Sequence, residues 1–168
     1  MAADDIDFDT YIPALISLLA SRLVASASAM YRERFGLGLM EWRILAILVR
    51  QPGLSARDVG AIVGQDKAPI SRALRELEKK HLVDIAFASK GNRHELSVTA
   101  AGKKAYRASL PVALERENRL LQDFSSSERK QLTSYLKRLI DRTADVASTG
   151  PMAKRRARAA PPPARRSG

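Results

Sequence analysis

Lys67, Ala68, Ser71, Arg72 and Arg75 recur at one-, three- and four-residue steps, so a helix would carry all five on one side. The chemistry of that set is hydrogen bonding to base edges and phosphates. Arginine pairs bidentately with guanine, a serine hydroxyl serves a base or a phosphate, and an alanine methyl packs on the methyl of thymine. Lys90, Asn92 and Arg93 cluster a little further on, between two alternating apolar stretches. Such a cluster suits phosphates or a narrowed minor groove. Arg57 adds a base ahead of the main set. Covalent chemistry has no comparable constellation. The chain has no cysteine, and its two histidines, His81 and His94, stand at no metal-ligand spacing. It has no glycine-rich phosphate loop and no carboxylate pair with a shared cleft. No catalytic residue, metal or cofactor is therefore expected, and the missing thiols exclude a cysteine-based redox sensor.

Helices must position these residues. From Asp9 to Phe35 the apolar residues Ile12, Leu15, Ile16, Leu19, Leu23, Ala27, Met30 and Tyr31 follow three- and four-residue steps, the helical signature. Gly36 and Gly38 should end that helix. Leu39–Arg50 is apolar nearly all round, which predicts a buried central helix. Ser55 with Asp58 forms a capping box for a short helix that Gly64 closes. Asp66 should cap the next helix, to about Lys80, with Ile70, Ala73, Leu74 and Leu77 as its inner stripe and Pro69 in its first turn. Val83, Ile85 and Phe87 alternate with polar or small residues, as do Leu96 and Val98 after His94. Two strands joined through Gly91-Asn92 follow. Thr99 should cap a helix to about Phe124 that Pro111 kinks or splits. Ser125 to Glu128 should open a last helix to about Val146.

A short capped helix, a glycine turn and a second amphipathic basic helix read as a helix-turn-helix, and the basic-tipped hairpin reads as its wing. The fold class is thus mainly α with a small β-hairpin: a winged helix-turn-helix flanked by N- and C-terminal helices. The expected divisions are an unstructured acidic start (1–8), an N-terminal dimerisation helix (9–38), the winged helix-turn-helix (39–98), C-terminal dimerisation helices (99–147) and a disordered basic tail (148–168). The flanking helices carry more apolar face than one small domain can cover, which points to a homodimer.

Charge agrees. The net charge is +11 over 168 residues. Residues 1–10 hold four aspartates and no base, while residues 150–168 hold six bases and no acid. That leaves +9 for residues 11–149, and the surplus includes the helix-turn-helix and wing. A basic body favours an anionic partner, here double-stranded DNA. The tail either adds phosphate contacts or aids solubility. The acidic start is unlike a secretory signal. No apolar run approaches the roughly 18 residues of a membrane span. A cytoplasmic protein without membrane contact is the expectation.

Leu39-Met40-Glu41-Trp42-Arg43-Ile44-Leu45, Ser55-Ala56-Arg57-Asp58-Val59 and Gln65 to Leu74 occur in an order and spacing that resembles the MarR family of bacterial transcription regulators. Leu77 to Val83 and Leu96 to Gly102 continue the likeness, which spans about residues 9–147. The resemblance implies a homodimer that binds a palindromic operator, usually as a repressor. It also implies release by a small, often aromatic and anionic, molecule. Lys67, Ala68, Ser71 and Arg72 take the recognition-helix positions. Lys90-Gly91-Asn92-Arg93 stands where the family's wing carries Asp, any residue, Arg. The Asp is missing, and Arg93 is the candidate wing arginine. The family's ligand pocket lies between the dimer helices and the winged helix. There Arg22 and Trp42 would hold a carboxylate and an aromatic ring, with Tyr11 and Tyr31 as lesser candidates.

Two other classes compete with a ligand-responsive regulator. One is a non-sensing architectural protein that coats DNA through charge; the other is a helical module for an acidic protein partner. The sequence identifies neither the effector, the operator, the regulated genes nor the sign of regulation.

Overall fold

A computed structural model of the chain describes residues 5–87 and 94–148. The elements run α1 (Ile12–Phe35), α2 (Leu39–Arg50), α3 (Ala56–Val63), α4 (Lys67–Lys79), β1 (Val83–Phe87), β2 (His94–Val98), α5 (Ala100–Leu120) and α6 (Ser126–Ser148). They fall in two compact units, Met1–Glu115 and Arg116–Gly168. The expected fold class, helical with one antiparallel hairpin, is what the chain adopts.

In the first unit α2 is the hub. Ile44, Leu45 and Leu48 are sealed from solvent and meet Val59 of α3 and Ile70, Leu74 and Leu77 of α4. Burying such side chains is worth about 1.5–3 kcal/mol each. Val83 and Leu96 bring the hairpin into the same core. The strands pair in the register Val83↔Val98 to Phe87↔His94. Gly53 and Leu54 lie along the free edge of β2, with Leu96 N–H donating to the Leu54 carbonyl at 3.0 Å and Gly53 N–H to the Leu96 carbonyl at 3.2 Å. The sequence reading gave this segment only the end of a helix.

The local signals behave in physical order. Gly36 is left-handed (φ 64°) and stops α1, as expected. Ser55 and Asp58 form the capping box of α3, and Gly64 (φ 69°) closes it. Asp66 occupies the N-cap position of α4, but its side chain makes no capping bond, which corrects that expectation. Pro111 does not split α5, which runs unbroken from Ala100 to Leu120. The ring removes one amide donor and leaves the carbonyl of Arg107 unclaimed by the helix. Arg107 is exposed, so water can take that carbonyl.

In the second unit, Ser125 N–H donates to Glu128 Oε2 at 2.8 Å and Glu128 N–H returns a bond to Ser125 Oγ at 3.3 Å. This is the expected start of α6. The Ser125 hydroxyl and amide hold the Glu128 carboxyl below the usual carboxylate range. Arg129 donates to the carbonyls of Leu121 and Phe124, at 2.7 and 3.1 Å, and so ties up the end of the preceding helix.

One further expectation is corrected. Within α1 an 18-residue window has a mean hydropathy of 1.6, long and apolar enough to cross a membrane by length and composition. Reading for uninterrupted apolar runs overlooked it, because serines and Arg22 punctuate the stretch without lowering its average enough. Only 6% of that window is buried within the chain.

Candidate nucleic-acid interface

The turn between α3 and α4 is tight for a definable reason. Gln65 N–H donates to the Gly60 carbonyl at 3.0 Å. A Cβ on Gly60 would stand 3.1 Å from the Gln65 carbonyl oxygen and 3.6 Å from Ile70 Cγ1. Glycine lets the two helices approach closely, and left-handed Gly64 turns the chain between them.

With Ile70, Ala73, Leu74 and Leu77 buried against α2 and α3, the other side of α4 faces outward. Lys67, Ala68, Arg72 and Arg75 are exposed there, and Ser71 is half-buried at the margin. The acids of this helix, Glu76 and Glu78, sit in its C-terminal half. Its first six residues carry two bases and no acid. That asymmetry matches a recognition helix, whose N-terminal residues meet base edges. Arg57, exposed on the first turn of α3, joins Gln65, Asp66, Lys67 and Ser71 in lining a cavity of about 630 Å³ between the two helices. The structure therefore brings Arg57, Lys67, Ala68, Ser71, Arg72 and Arg75 onto one helix pair. Lys90, Asn92 and Arg93 lie outside the described residues, and so does the basic tail from 149 onward.

The four candidates for an effector site do not all meet. Tyr31 is buried, and its ring stacks on Trp42 with centroids 4.9 Å apart and planes inclined by 29°. Tyr11 and Arg22 are exposed. Tyr11 precedes Tyr31 by twenty residues of α1, about 30 Å of helix, and Arg22 precedes it by nine, about 13 Å. One protomer cannot gather all four round one small molecule.

Sequence reasoning missed two neighbours of Trp42. Ser109 of α5 is fully buried, accepts a hydrogen bond from Trp42 Nε1–H at 3.0 Å and donates one from its hydroxyl to the Tyr106 carbonyl at 2.8 Å. Nothing marks this serine in an otherwise ordinary helix. Arg43 is half-buried and, with Trp42, Ala46, Ile47, Ile62 and Val63, lines a groove of about 460 Å³ between α2 and α3. Its position beside the only tryptophan was the available signal. Among the described residues, no group of His, Asp or Glu could hold a metal ion.

Comparison with known proteins agrees with this geometry. The family model described as MarR family matches residues 35–93. A curated relative, the HTH-type transcriptional regulator BilQ of Clostridium symbiosum, is 26% identical over 113 residues, covering 67% of this chain and 77% of its own. The crystal structure of a MarR/EmrR family transcriptional regulator from Acinetobacter sp. ADP1 superposes with a TM-score of 0.79 at 32% identity. That match covers 83% of this chain and 99% of the Acinetobacter chain. The PcaV transcriptional regulator of Streptomyces coelicolor, solved in complex with its natural ligand, gives a TM-score of 0.65 at 26% identity, covering 84% and 98%.

Proposed function

Because this chain belongs to the MarR family of transcriptional regulators, we propose that it acts as a homodimeric, cytoplasmic repressor that binds a pseudo-palindromic operator and leaves it when a small aromatic anion binds. The observation that carries the reading is α4. Its core-facing stripe is complete, and its outer side presents Lys67, Ala68, Ser71, Arg72 and Arg75, with no acid before Glu76. Two such helices about 34 Å apart in a dimer would read successive major grooves.

The dimer reading is supported in each unit separately. On α1, Ile12, Leu15, Ile16, Leu19 and Val24 are 40–52% exposed. On α6, Tyr135, Leu136, Leu139, Ile140 and Val146 are 41–69% exposed. Apolar faces of that extent mark an interface. A second copy covering α1 also accounts for its hydropathy without invoking a membrane.

For the effector, the α2–α3 groove is the favoured place. Its volume suits a small ligand, Trp42 offers an aromatic face, and Arg43 is paired with no carboxylate among the described residues. An arginine beside an aromatic wall is the chemistry that would hold an aromatic carboxylate. The ligand complex of PcaV is support for a ligand-responsive reading of this fold.

Selection from random duplexes followed by footprinting tests the proposal. The expected result is a discrete protected palindrome, bound roughly 10³-fold or more above random DNA, and released by an aromatic acid such as benzoate or salicylate. Uniform coating without a footprint would instead establish the architectural alternative.

A further inference from the structure

The exit of α4 is bonded on both sides to other helices. Lys80, the C-cap of α4, donates through Nζ to Glu41 Oε2 at 2.6 Å and to the Gly36 carbonyl at 2.8 Å. Gly36 is the left-handed residue that ends α1, and Glu41 sits in the first turn of α2. The side chain of Glu41 is only 11% exposed. Gly38 leaves room for it, since a Cβ there would stand 3.1 Å from Glu41 Oε1. On the opposite side, Thr99, just before α5, donates from Oγ1 to the His81 carbonyl at 2.8 Å and from its amide to the Leu82 carbonyl at 3.1 Å. His81 is held with φ at 55°, in the left-handed region that a non-glycine residue seldom adopts.

Residues 80–82 thus touch the terminus of α1 and the start of α5 directly. We propose that they form the joint through which the dimerisation helices set the angle of the recognition helix, with Lys80 as a positioning residue rather than a phosphate ligand. This rests on the dimeric, operator-binding reading above. Two of the three ammonium protons of Lys80 are committed, and its charge is neutralised by a carboxylate largely withdrawn from water. Such an ammonium has little left for a phosphate. Removing it strands the Glu41 carboxylate, which is costly in a partly dry site. Apolar packing holds α4 against α2. The polar joint fixes its exit relative to the ends of α1 and α5, and a palindrome is matched only when both recognition helices keep their angle to the interface.

The test uses the full chain and the palindrome obtained by selection, alongside a duplex carrying a single half-site. Lys80→Met and Glu41→Gln are each expected to weaken binding to the full palindrome by roughly three- to tenfold, the scale of coupling between contacting side chains. Half-site affinity and the slope of log affinity against log salt should stay at wild-type values. Lys80→Arg should retain the ratio of the two affinities, and the double variant should lose no more than either single one. Equal losses on both duplexes, with the salt slope reduced by about one, would make Lys80 a phosphate ligand and overturn the joint. A lowered melting temperature with an unchanged ratio would overturn it as well, by making the contact purely structural. If the wild-type chain selects no palindrome at all, the dimeric reading fails and takes the joint with it.

Discussion

Arg72 is the side chain on which DNA recognition can be tried most directly. It is exposed near the middle of α4, one residue from half-buried Ser71 and opposite the buried pair Ile70 and Leu74. Its removal costs the core nothing, so any effect must appear in binding. Arg72→Ala is expected to weaken operator binding by about 1–3 kcal/mol and to relax base choice at one position of each half-site. Titrations on the operator and on single-base variants check this. Equal weakening on every sequence would assign Arg72 to phosphate. The same scale explains why the effector residues were the least legible part of the sequence. Trp42 and Tyr31 were chosen as aromatic types, and they do meet, but as a stacked pair, with the indole N–H already given to Ser109. Arg22 is the arginine that the family resemblance places at the pocket, whereas Arg43 shares a groove with the tryptophan. Side-chain type was readable; which types converge depends on packing between α2, α3 and α5.

Between elements, the docking of α5 on the α4–β1 junction leaves no room for an added side-chain atom. Gly102 is buried there. A Cβ at that position would run into the Leu82 carbonyl oxygen and Val98 Cγ1. The obstacle is backbone and a strand side chain, so neither yields cheaply. Gly102→Ala is expected to lower stability by about 2–3 kcal/mol, measured by urea unfolding, against a near-neutral Ala101→Gly control at the exposed neighbour. Element boundaries were otherwise well marked wherever one residue sets the local geometry. Gly36, Gly64 and the Ser55–Asp58 box each act within a single turn. Asp66 sits at a cap position without bonding, Pro111 lies inside an intact helix, and Gly53-Leu54 gains a strand neighbour 42 residues away. For Gly53-Leu54 a tertiary partner overrides the local preference, and for Pro111 the exposure of Arg107 leaves its carbonyl to water, neither of which a window of sequence contains; nothing in the structure explains the unbonded Asp66 cap.

At the scale of the whole molecule, α1 in the first unit and α6 in the second each expose an apolar face. Leu19 is 48% exposed and Ile140 66%, so a charge at either position would cost a solitary chain little. In a homodimer the same charge would be buried against apolar neighbours and left unpaired, at a cost of several kcal/mol per ion. Leu19→Glu and Ile140→Glu are therefore expected to shift the protein from about 37 kDa, twice the 18.5 kDa chain, to monomer in sedimentation. Operator affinity should fall with them, because a single winged helix reads one half-site. α4 and its basic residues are untouched, so binding of a lone half-site should persist at the monomer's own affinity. Unchanged mass in both variants would remove the dimer. The +9 body charge would then have to be read as serving a single recognition helix, and the apolar face of α1 would need another partner.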